Sequence, residues 1–511
     1  MSLAVVYTRA NIGIDAPLVT VETHLSNGLP SLAIVGLPEA AVRESKERVR
    51  SAILNAGLEF PTRRMTINLA PADLPKSGGR YDLAIALSIL AASGQIPAPG
   101  LADYEVLGEL ALNGTLRAVH GVLPAVLAAR EQGRTLLLPA VNSAEASLVR
   151  GVRALAGAHL LEVCNQLRTG KGMQRCEFQE PPLMASERHE GTRFADIKGQ
   201  HAAKRALQVA AAGAHNILFI GPPGTGKTLL ANSLVSLLPP LDEADALEAA
   251  AIKSIARRPI DAARWLQPEF RAPHHTATSI ALVGGGAQAS PGEITLAHRG
   301  VLFLDELPEF NRSVLEVLRE PLESGHITIS RASYRLQLPA NFQLVAAMNP
   351  CKCGYHGDPD GRCRCTPEGV QRYLQKISGP LLDRIDLIVE VPRLAPHELR
   401  AVRESAPTND ASGSQQNVAR IRACRHLQKQ RSGKLNSDMS AHEIETFCVL
   451  DDVSEQFLEL AVQKLKLSAR AHHRILKIAR TIADMDGREA IAQQDLAEAI
   501  SYRRVERFFR G

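Results

Sequence analysis

Aromatic residues make up only 4% of the sequence, with a single tryptophan, Trp265. That scarcity argues against the stacking platforms on which sequence-independent single-strand binders rely. No run of about 18 apolar residues occurs, so no transmembrane helix is expected. The opening stretch MSLAVVYTRANIGIDA lacks the basic region, apolar stretch and small-residue cleavage site of an export signal. Neither sign of charge dominates: 59 basic against 54 acidic residues leave +5, which permits a nucleic-acid partner without requiring one. Fixed-period repeats and coiled-coil heptads are missing too. Cysteines number only eight, yet Cys351, Cys353, Cys363 and Cys365 fall within fifteen residues. Such crowding suits a metal site in a reducing compartment better than a disulfide framework. These features together describe a cytoplasmic protein with no membrane partner.

A chain of 511 residues has room for roughly three domains. Residues 1–165 alternate strand-like runs (LAVVYT, PLVTVETHL, SLAIVG, MTINLA, TLLLPA) with the helical patterns AAVRESKERVRSAILNAG and YDLAIALSILAASG, an α+β or α/β unit. Residues 166–190 lose periodicity, turn polar and carry Pro181-Pro182, which reads as a linker. An α/β segment follows over 191–395, in which NILFIG and GVLFLDE are continuous apolar runs of the kind found in doubly covered parallel strands. Residues 404–417 are rich in Ser, Asn and Gln and read as a flexible loop; the pattern from 418 on is helical, giving a helical domain over 396–511.

The run NILFIGPPGTGKTLLANSLVSLL is strand, glycine-rich loop, helix. Gly221-Pro222-Pro223-Gly224-Thr225-Gly226-Lys227-Thr228 satisfies G-x-x-x-x-G-K-[ST] in that context. Glycines let backbone N–H groups close around phosphate oxygens, and the helix start presents its positive dipole end. Lys227 is expected to reach the β- and γ-phosphates of ATP and Thr228 to hold Mg²⁺. Downstream, Val301-Leu302-Phe303-Leu304 leads into Asp305-Glu306, an acid pair at the end of a buried strand. Asp305 is expected to hold Mg²⁺ through water and Glu306 to polarise the attacking water, so the pair points to hydrolysis as well as binding.

Further segments carry a family resemblance. LVAAMNP ends in Asn349, at the place of the sensor-1 residue of AAA+ ATPases. SGPLLDRIDLIVEV resembles the arginine-finger segment of the magnesium-chelatase and Mcm-helicase branch, with Arg384 as the finger. LSARAHHRILKIARTIADM resembles the sensor-2 helix, with Arg470 the first phosphate contact and Arg474 the second. FADIKGQ resembles the segment ahead of the P-loop that packs near the adenine. GLPEAAVRESKERVRSAI, DLPKSGGRYDLAIALSIL, RAPHHTATSIALVGGG, PGEITLAHRGVLFLDELPEF and AAMNPCKCG extend the likeness over nearly the whole chain, to the ComM/YifB family of magnesium-chelatase-like proteins. That resemblance implies a homo-oligomer, a hexamer, in which Arg384 serves a neighbour's ATP. It also implies an ATP-driven DNA motor promoting branch migration of recombination intermediates in natural transformation. HITISRASYRLQLP resembles the hairpin that Mcm-like motors project into a central channel, where Arg331 and Arg335 would touch DNA phosphates. The RAPHHT–GGG loop resembles the helix-2 insertion of the same branch. RIRACRHLQKQRSGK, with six basic residues and no acid, reads either as a further DNA contact or as a solvated face. A chelatase-like motor remodelling a protein partner is the alternative.

Residues 1–165 resemble the Lon-protease-like domain. Aligned with the Lon motifs, Ser77 takes the nucleophile position but Ala125 stands where the lysine base belongs, so a non-peptidase domain is expected, with Lys76 beside Ser77 the one remaining candidate base. The four clustered cysteines form C-x-C-x9-C-x-C within an insertion over 351–365, and match a tetrahedral structural Zn²⁺ site with His356 as a substitute ligand; four reduced, unliganded thiols are the other reading.

Overall fold

A computed structural model describes residues 2–36, 39, 42, 44–180, 194–285, 290–330, 335–358, 360–394, 411–465, 467–504 and 509. The chain divides into two compact units. The first comprises Met1–Ala185, Glu243–Leu266 and Ser330–Leu338; the second comprises Ser186–Asp242, Gln267–Ile329 and Pro339–Gly511.

The first unit is built on an eight-stranded mixed sheet in the order Gln174–Arg175, Ala154–Gly157, Thr135–Pro139, Tyr104–Val106, Ser2–Arg9, Leu18–Ser26, Arg64–Ala70, Ser31–Val35. Strand Leu18–Ser26 alternates strictly, burying Val19, Val21, Thr23 and Leu25, because one face of the sheet is covered and the other is not. The covering helix Asp82–Ala92 is apolar on nearly every side and buried at every position, as a helix enclosed all round must be. The linker expected from 166 starts inside folded structure. Leu160–Thr169 is a helix burying Leu160, Val163 and Cys164, and Gln174–Arg175 pairs with the edge strand Ala154–Gly157. That last strand has no apolar residue to announce it; it is held by backbone hydrogen bonds alone. Residues 181–193 lie outside the described residues.

Two later segments complete this unit. Helix Glu243–Ile255 buries Ala246, Leu247, Ala250 and Ala251 and packs on helix Val122–Glu131. It is fixed at its end by Ser254, whose Oγ donates to Glu145 (2.6 Å) while its carbonyl accepts from the Gly121 N–H (3.2 Å). Strands His326–Ser330 and Arg335–Pro339 form the expected hairpin. Leu336 and Leu338 of its second strand are buried, and they close on Gly13, whose left-handed backbone (φ +58°) and missing side chain make room for them: a Cβ there would lie 2.6 Å from Leu336 Cδ1. Arg331 lies outside the described residues, and only the backbone of Arg335 is described.

The second unit contains a five-stranded parallel sheet in the order Phe270–Arg271, Val301–Leu304, Gln343–Met348, Ile217–Ile220, Leu387–Glu390. All residues of Ile217–Ile220, Val301–Leu304 and Gln343–Met348 are buried, which explains why they are apolar apart from Gln343, whose side chain donates to the Ala210 and His215 carbonyls. Counted along the chain the strand order is 5-1-4-3-2, so the first strand sits between the fourth and fifth and its C-terminal end opens a crevice. Most of its remaining elements are helices, beside a short ribbon of Gly284–Gly285 and Ser290–Pro291. Helix Ala411–Ser432 occupies much of the stretch expected as a flexible loop, while 404–410 lie outside the described residues. Part of the basic run 420–434 is engaged within the unit, while Arg422 is exposed. Arg425 donates to the Ala211 carbonyl (2.8 Å), Arg431 pairs with Asp484 (2.7 Å), Lys434 with Glu443 (2.9 Å) and Arg420 with Asp486.

Helix Ala469–Met485 is joined to the sheet by a largely buried polar cluster. Asp386, just ahead of strand Leu387–Glu390, accepts from the Asn216 N–H (3.0 Å) and faces Arg474 Nε (3.4 Å) and His215 Nδ1 (3.6 Å); His215 Nε2 meets Thr481 Oγ1 at 2.8 Å. Burial alone would raise the Asp386 carboxyl, but His215, Arg474 and the Asn216 N–H outweigh it and hold it at about 2. Stabilisation from this depressed group is present above the ordinary carboxylate range and is lost as pH falls toward 2. Replacing Asp386 by alanine leaves the three groups facing it without their acceptor and is expected to cost about 3 kcal/mol, read as a lower midpoint in chemical denaturation at pH 7, with the gap to wild type shrinking below pH 4.

Candidate functional site

The crevice at the C-terminal ends of the parallel strands is a cleft of about 560 Å³ lined by the P-loop, Leu229, Asn232, Asp305, Glu306, Met348 and Asn349. Its size is that of an ordinary small-ligand site. Strand Ile217–Ile220 delivers the loop, and helix Lys227–Ser233 leaves it. Lys227 is buried, with Nζ donating to the carbonyls of Gly221 (2.7 Å) and Pro222 (2.8 Å) and to Asn349 Oδ1 (3.1 Å). Burial lowers its ammonium to about 8, an effect partly offset by Asp305 and Glu306. Thr228 Oγ1 donates to Asp305 Oδ2 at 2.7 Å, bringing together the hydroxyl and carboxylate expected to share a divalent cation. Ahead of the loop, Gln200 reaches the Pro392 carbonyl (2.7 Å), and Lys204 lies over the buried Phe194 ring (4.8 Å).

Glu306 follows Asp305 with a left-handed backbone (φ +52°), a conformation that non-glycine residues adopt at some cost and that is frequent at functional sites. Its side chain is half exposed, and Oε2 lies 3.4 Å from His275 Nδ1. His275 stacks at a tilt on His274 (4.1 Å) and edge-on to Phe310 (6.4 Å). Sequence reading singled out the loop carrying His275 but not this residue. The contact is made across the sheet, between loops after Phe270–Arg271 and after Val301–Leu304, and the only available signal was the parallel pairing of those strands.

Arg384 and Arg470 do not join this cluster. The Arg384 guanidinium pairs with the Glu323 carboxylate and donates to the Pro380 carbonyl (2.8 Å), leaving the side chain 12% exposed. Arg470 is 66% exposed and lies 3.8 Å from Asp383. Arg474, the second sensor-2 candidate, is engaged by Asp386 as described above. In the first unit, Ser77 is exposed, whereas Lys76 is buried and its Nζ donates to three carbonyls, those of Gly36 (2.9 Å), Leu74 (3.1 Å) and Pro71. All three ammonium hydrogens are committed, so Lys76 is not free to act as a base toward Ser77. Ala125 is buried in helix Val122–Glu131.

The four clustered cysteines meet. Their sulfurs all lie within 4.8 Å of one another, with Cys351–Cys353 at 3.3 Å, Cys353–Cys363 at 3.7 Å and Cys351–Cys363 at 3.9 Å. A tetrahedral ion with bonds of about 2.3 Å to sulfur sets neighbouring sulfurs about 3.8 Å apart, so the cluster has dimensions compatible with zinc. Burial raises the Cys353 thiol, but N–H groups of Arg364 and Tyr355 and the neighbouring thiols outweigh it and bring it down to about 6. His356 is exposed and outside the four-sulfur group.

Three family models describe consecutive parts of the chain: "Subunit ChlI of Mg-chelatase" over residues 21–142, "Magnesium chelatase, subunit ChlI" over 193–399 and "Magnesium chelatase, subunit ChlI C-terminal" over 411–503. The chain is 49% identical to the competence protein ComM of Haemophilus influenzae, over 99% of its own length and 98% of that protein. It is 48% identical, with the same coverage, to the protein YifB of Salmonella typhimurium. The 38 kDa magnesium-chelatase subunit of Cereibacter sphaeroides is 25% identical over 326 residues, 59% of this chain and 88% of that subunit. Whole-length similarity at this level, around a P-loop whose threonine and following acid pair are brought together by one parallel sheet, makes the chain a member of the ComM/YifB family of magnesium-chelatase-like proteins.

Proposed function

We propose that this protein is an ATP-driven DNA motor, a cytoplasmic homo-hexamer promoting branch migration of recombination intermediates during natural transformation. The observation that carries the ATPase part is the contact of Thr228 with Asp305 beside Lys227 and Asn349. When ATP enters, its phosphates replace the Gly221 and Pro222 carbonyls as partners of Lys227, and Asn349 remains at the γ-phosphate end. Thr228 and Asp305 would hold Mg²⁺, which would supply neutralisation of the charge developing on the phosphates. Glu306 accepts a hydrogen bond from the attacking water once its carboxylate turns from His275. Arg384 reaches a neighbour's γ-phosphate, exchanging the Glu323 carboxylate for it, and Arg470, exposed on the last large helix, is the sensor-2 contact. The four cysteines hold one structural Zn²⁺.

The DNA part rests on similarity to a protein named for competence and on the hairpin of His326–Ser330 and Arg335–Pro339, between whose strands the sequence carries Arg331 and whose second strand opens at Arg335. These arginines bind backbone phosphates without reading bases. The first unit is a non-peptidase, Lon-like platform. A second reading, a motor that remodels a protein partner, is favoured by the likeness to the magnesium-chelatase subunit.

ATP-dependent branch migration of a synthetic four-way junction separates the two. Wild type is expected to move the junction and Lys227→Ala to be inactive; if DNA is neither moved nor raises the ATPase rate, the protein-remodelling reading replaces the DNA motor. Arg331→Ala with Arg335→Ala is expected to retain DNA-free ATPase activity while losing its stimulation by DNA, and to flatten the salt dependence of binding by about two phosphate contacts. Elemental analysis of protein purified without chelator is expected to give about one zinc per chain, and none would remove the metal from this reading.

A further inference from the structure

The cysteine cluster is built against the nucleotide site. Strand Gln343–Met348 ends at Asn349, whose side chain accepts from Lys227, and Cys351 follows two residues later with only Pro350 between. Proline fixes its own φ, so Asn349 and Cys351 have little freedom to move separately. The first cysteine turn then closes through the Gly354 N–H on the Cys351 carbonyl (2.9 Å) and touches the P-loop directly. Gly354 is left-handed (φ +86°), and a Cβ there would sit 2.7 Å from Pro223 Cδ, 3.3 Å from Pro223 Cγ and 3.9 Å from Asn349 Cγ. Only a residue without a side chain lets this turn lie against both the loop and Asn349.

The exit from the cluster returns to the same place. Cys365 precedes Thr366, which caps helix Pro367–Leu374, and Tyr373 near the end of that helix lies beside the Asn349 backbone, close enough for its N–H to favour the phenolate. Between these anchors the segment has almost no core of its own. Among its described residues from Cys351 to Thr366, only Cys351 and Gly354 are buried. The intervening turn is held by Arg362, which forks onto Asp358 (2.6 and 3.0 Å) and lies over the Tyr355 ring (4.9 Å). These contacts are local to the turn; a metal on the four sulfurs would tie both of its ends together.

We infer that the four-cysteine centre is a metal-dependent clasp on the ATP site: its metal keeps Pro223 of the P-loop and Asn349 in the nucleotide-binding arrangement. This rests on the reading of the cluster as a zinc centre and of the cleft as the ATP site, and adds that the first controls the second. Loss of the metal by chelation frees the cysteine turn and with it the loop and Asn349.

The test uses the full chain as purified, the chain stripped of zinc, and the stripped chain reloaded with zinc. Binding of a fluorescent ATP analogue is measured in each, with hydrogen exchange of residues 221–228 and of strand Leu387–Glu390 as a control for the fold. Stripping is expected to weaken binding about tenfold, roughly the factor for one residue's lost backbone order, and to deprotect the P-loop but not the control strand; reloading reverses both. Cys363→Ser, which alters a sulfur on the far side of the turn, is expected to mimic stripping. Gly354→Val keeps all four sulfurs and is expected to retain zinc yet bind nucleotide more weakly. Stripped protein and Gly354→Val that both bind nucleotide as wild type does would overturn the clasp while leaving the zinc and ATP sites intact. Protein that never takes up zinc loses the metal reading and the clasp together. Zinc-loaded protein that binds no nucleotide refutes the ATP reading instead.

Discussion

Strands buried on both faces can end only where polar groups find water or one another, and three neighbouring strands of the parallel sheet end at the same edge. Ile217–Ile220 runs out into the P-loop, Val301–Leu304 into Asp305 and Glu306, and Gln343–Met348 into Asn349. Parallel pairing with fixed register puts those termini side by side. The groups that handle phosphate and water are therefore positioned by apolar packing beneath them. The hydrogen bonds from Lys227 to Asn349 and from Thr228 to Asp305 follow from that alignment.

The same logic separates what the sequence made legible from what it did not. Continuous apolar runs announced three of the five parallel strands, and the P-loop spacing announced the cleft, because both are local patterns with a direct physical cause. The pairing of His275 with Glu306 is a tertiary coincidence of two loops, and no local pattern encodes it. The strand Gln174–Arg175 was missed for a different reason: its contribution is backbone hydrogen bonding, to which side-chain periodicity is blind. The basic run 420–434 shows the limit of charge counting. Charge density along the chain left a DNA contact and a solvated face both open, and could not reveal that Arg425 and Arg431 serve as long struts between helices, satisfying a carbonyl and a carboxylate.

Polar residues inside the second unit follow one pattern. Asp386 is surrounded by donors from two separate segments, the adjacent His215 and Asn216 on one and Arg474 on the other. Asp484 collects Arg431, Arg480 and Asn436 in the same way. Each carboxylate is buried only because several donors converge on it, and each thereby ties the helical end of the chain to a defined place on the sheet or on itself. A change that removes one acid loosens several elements at once.

The segments Glu243–Leu266 and Ser330–Leu338 belong by their contacts to the unit that begins at the N-terminus. During synthesis, then, that unit cannot finish when its eight-stranded sheet has left the ribosome. Helix Val122–Glu131 waits for Glu243–Ile255, and the turn at Gly13 waits for Leu336 and Leu338, which emerge only after the whole P-loop region and the acid pair. Folding of the first unit and translation of the second are interleaved in time, so a chain cut between them at residue 185 would present these apolar faces to solvent and invite aggregation.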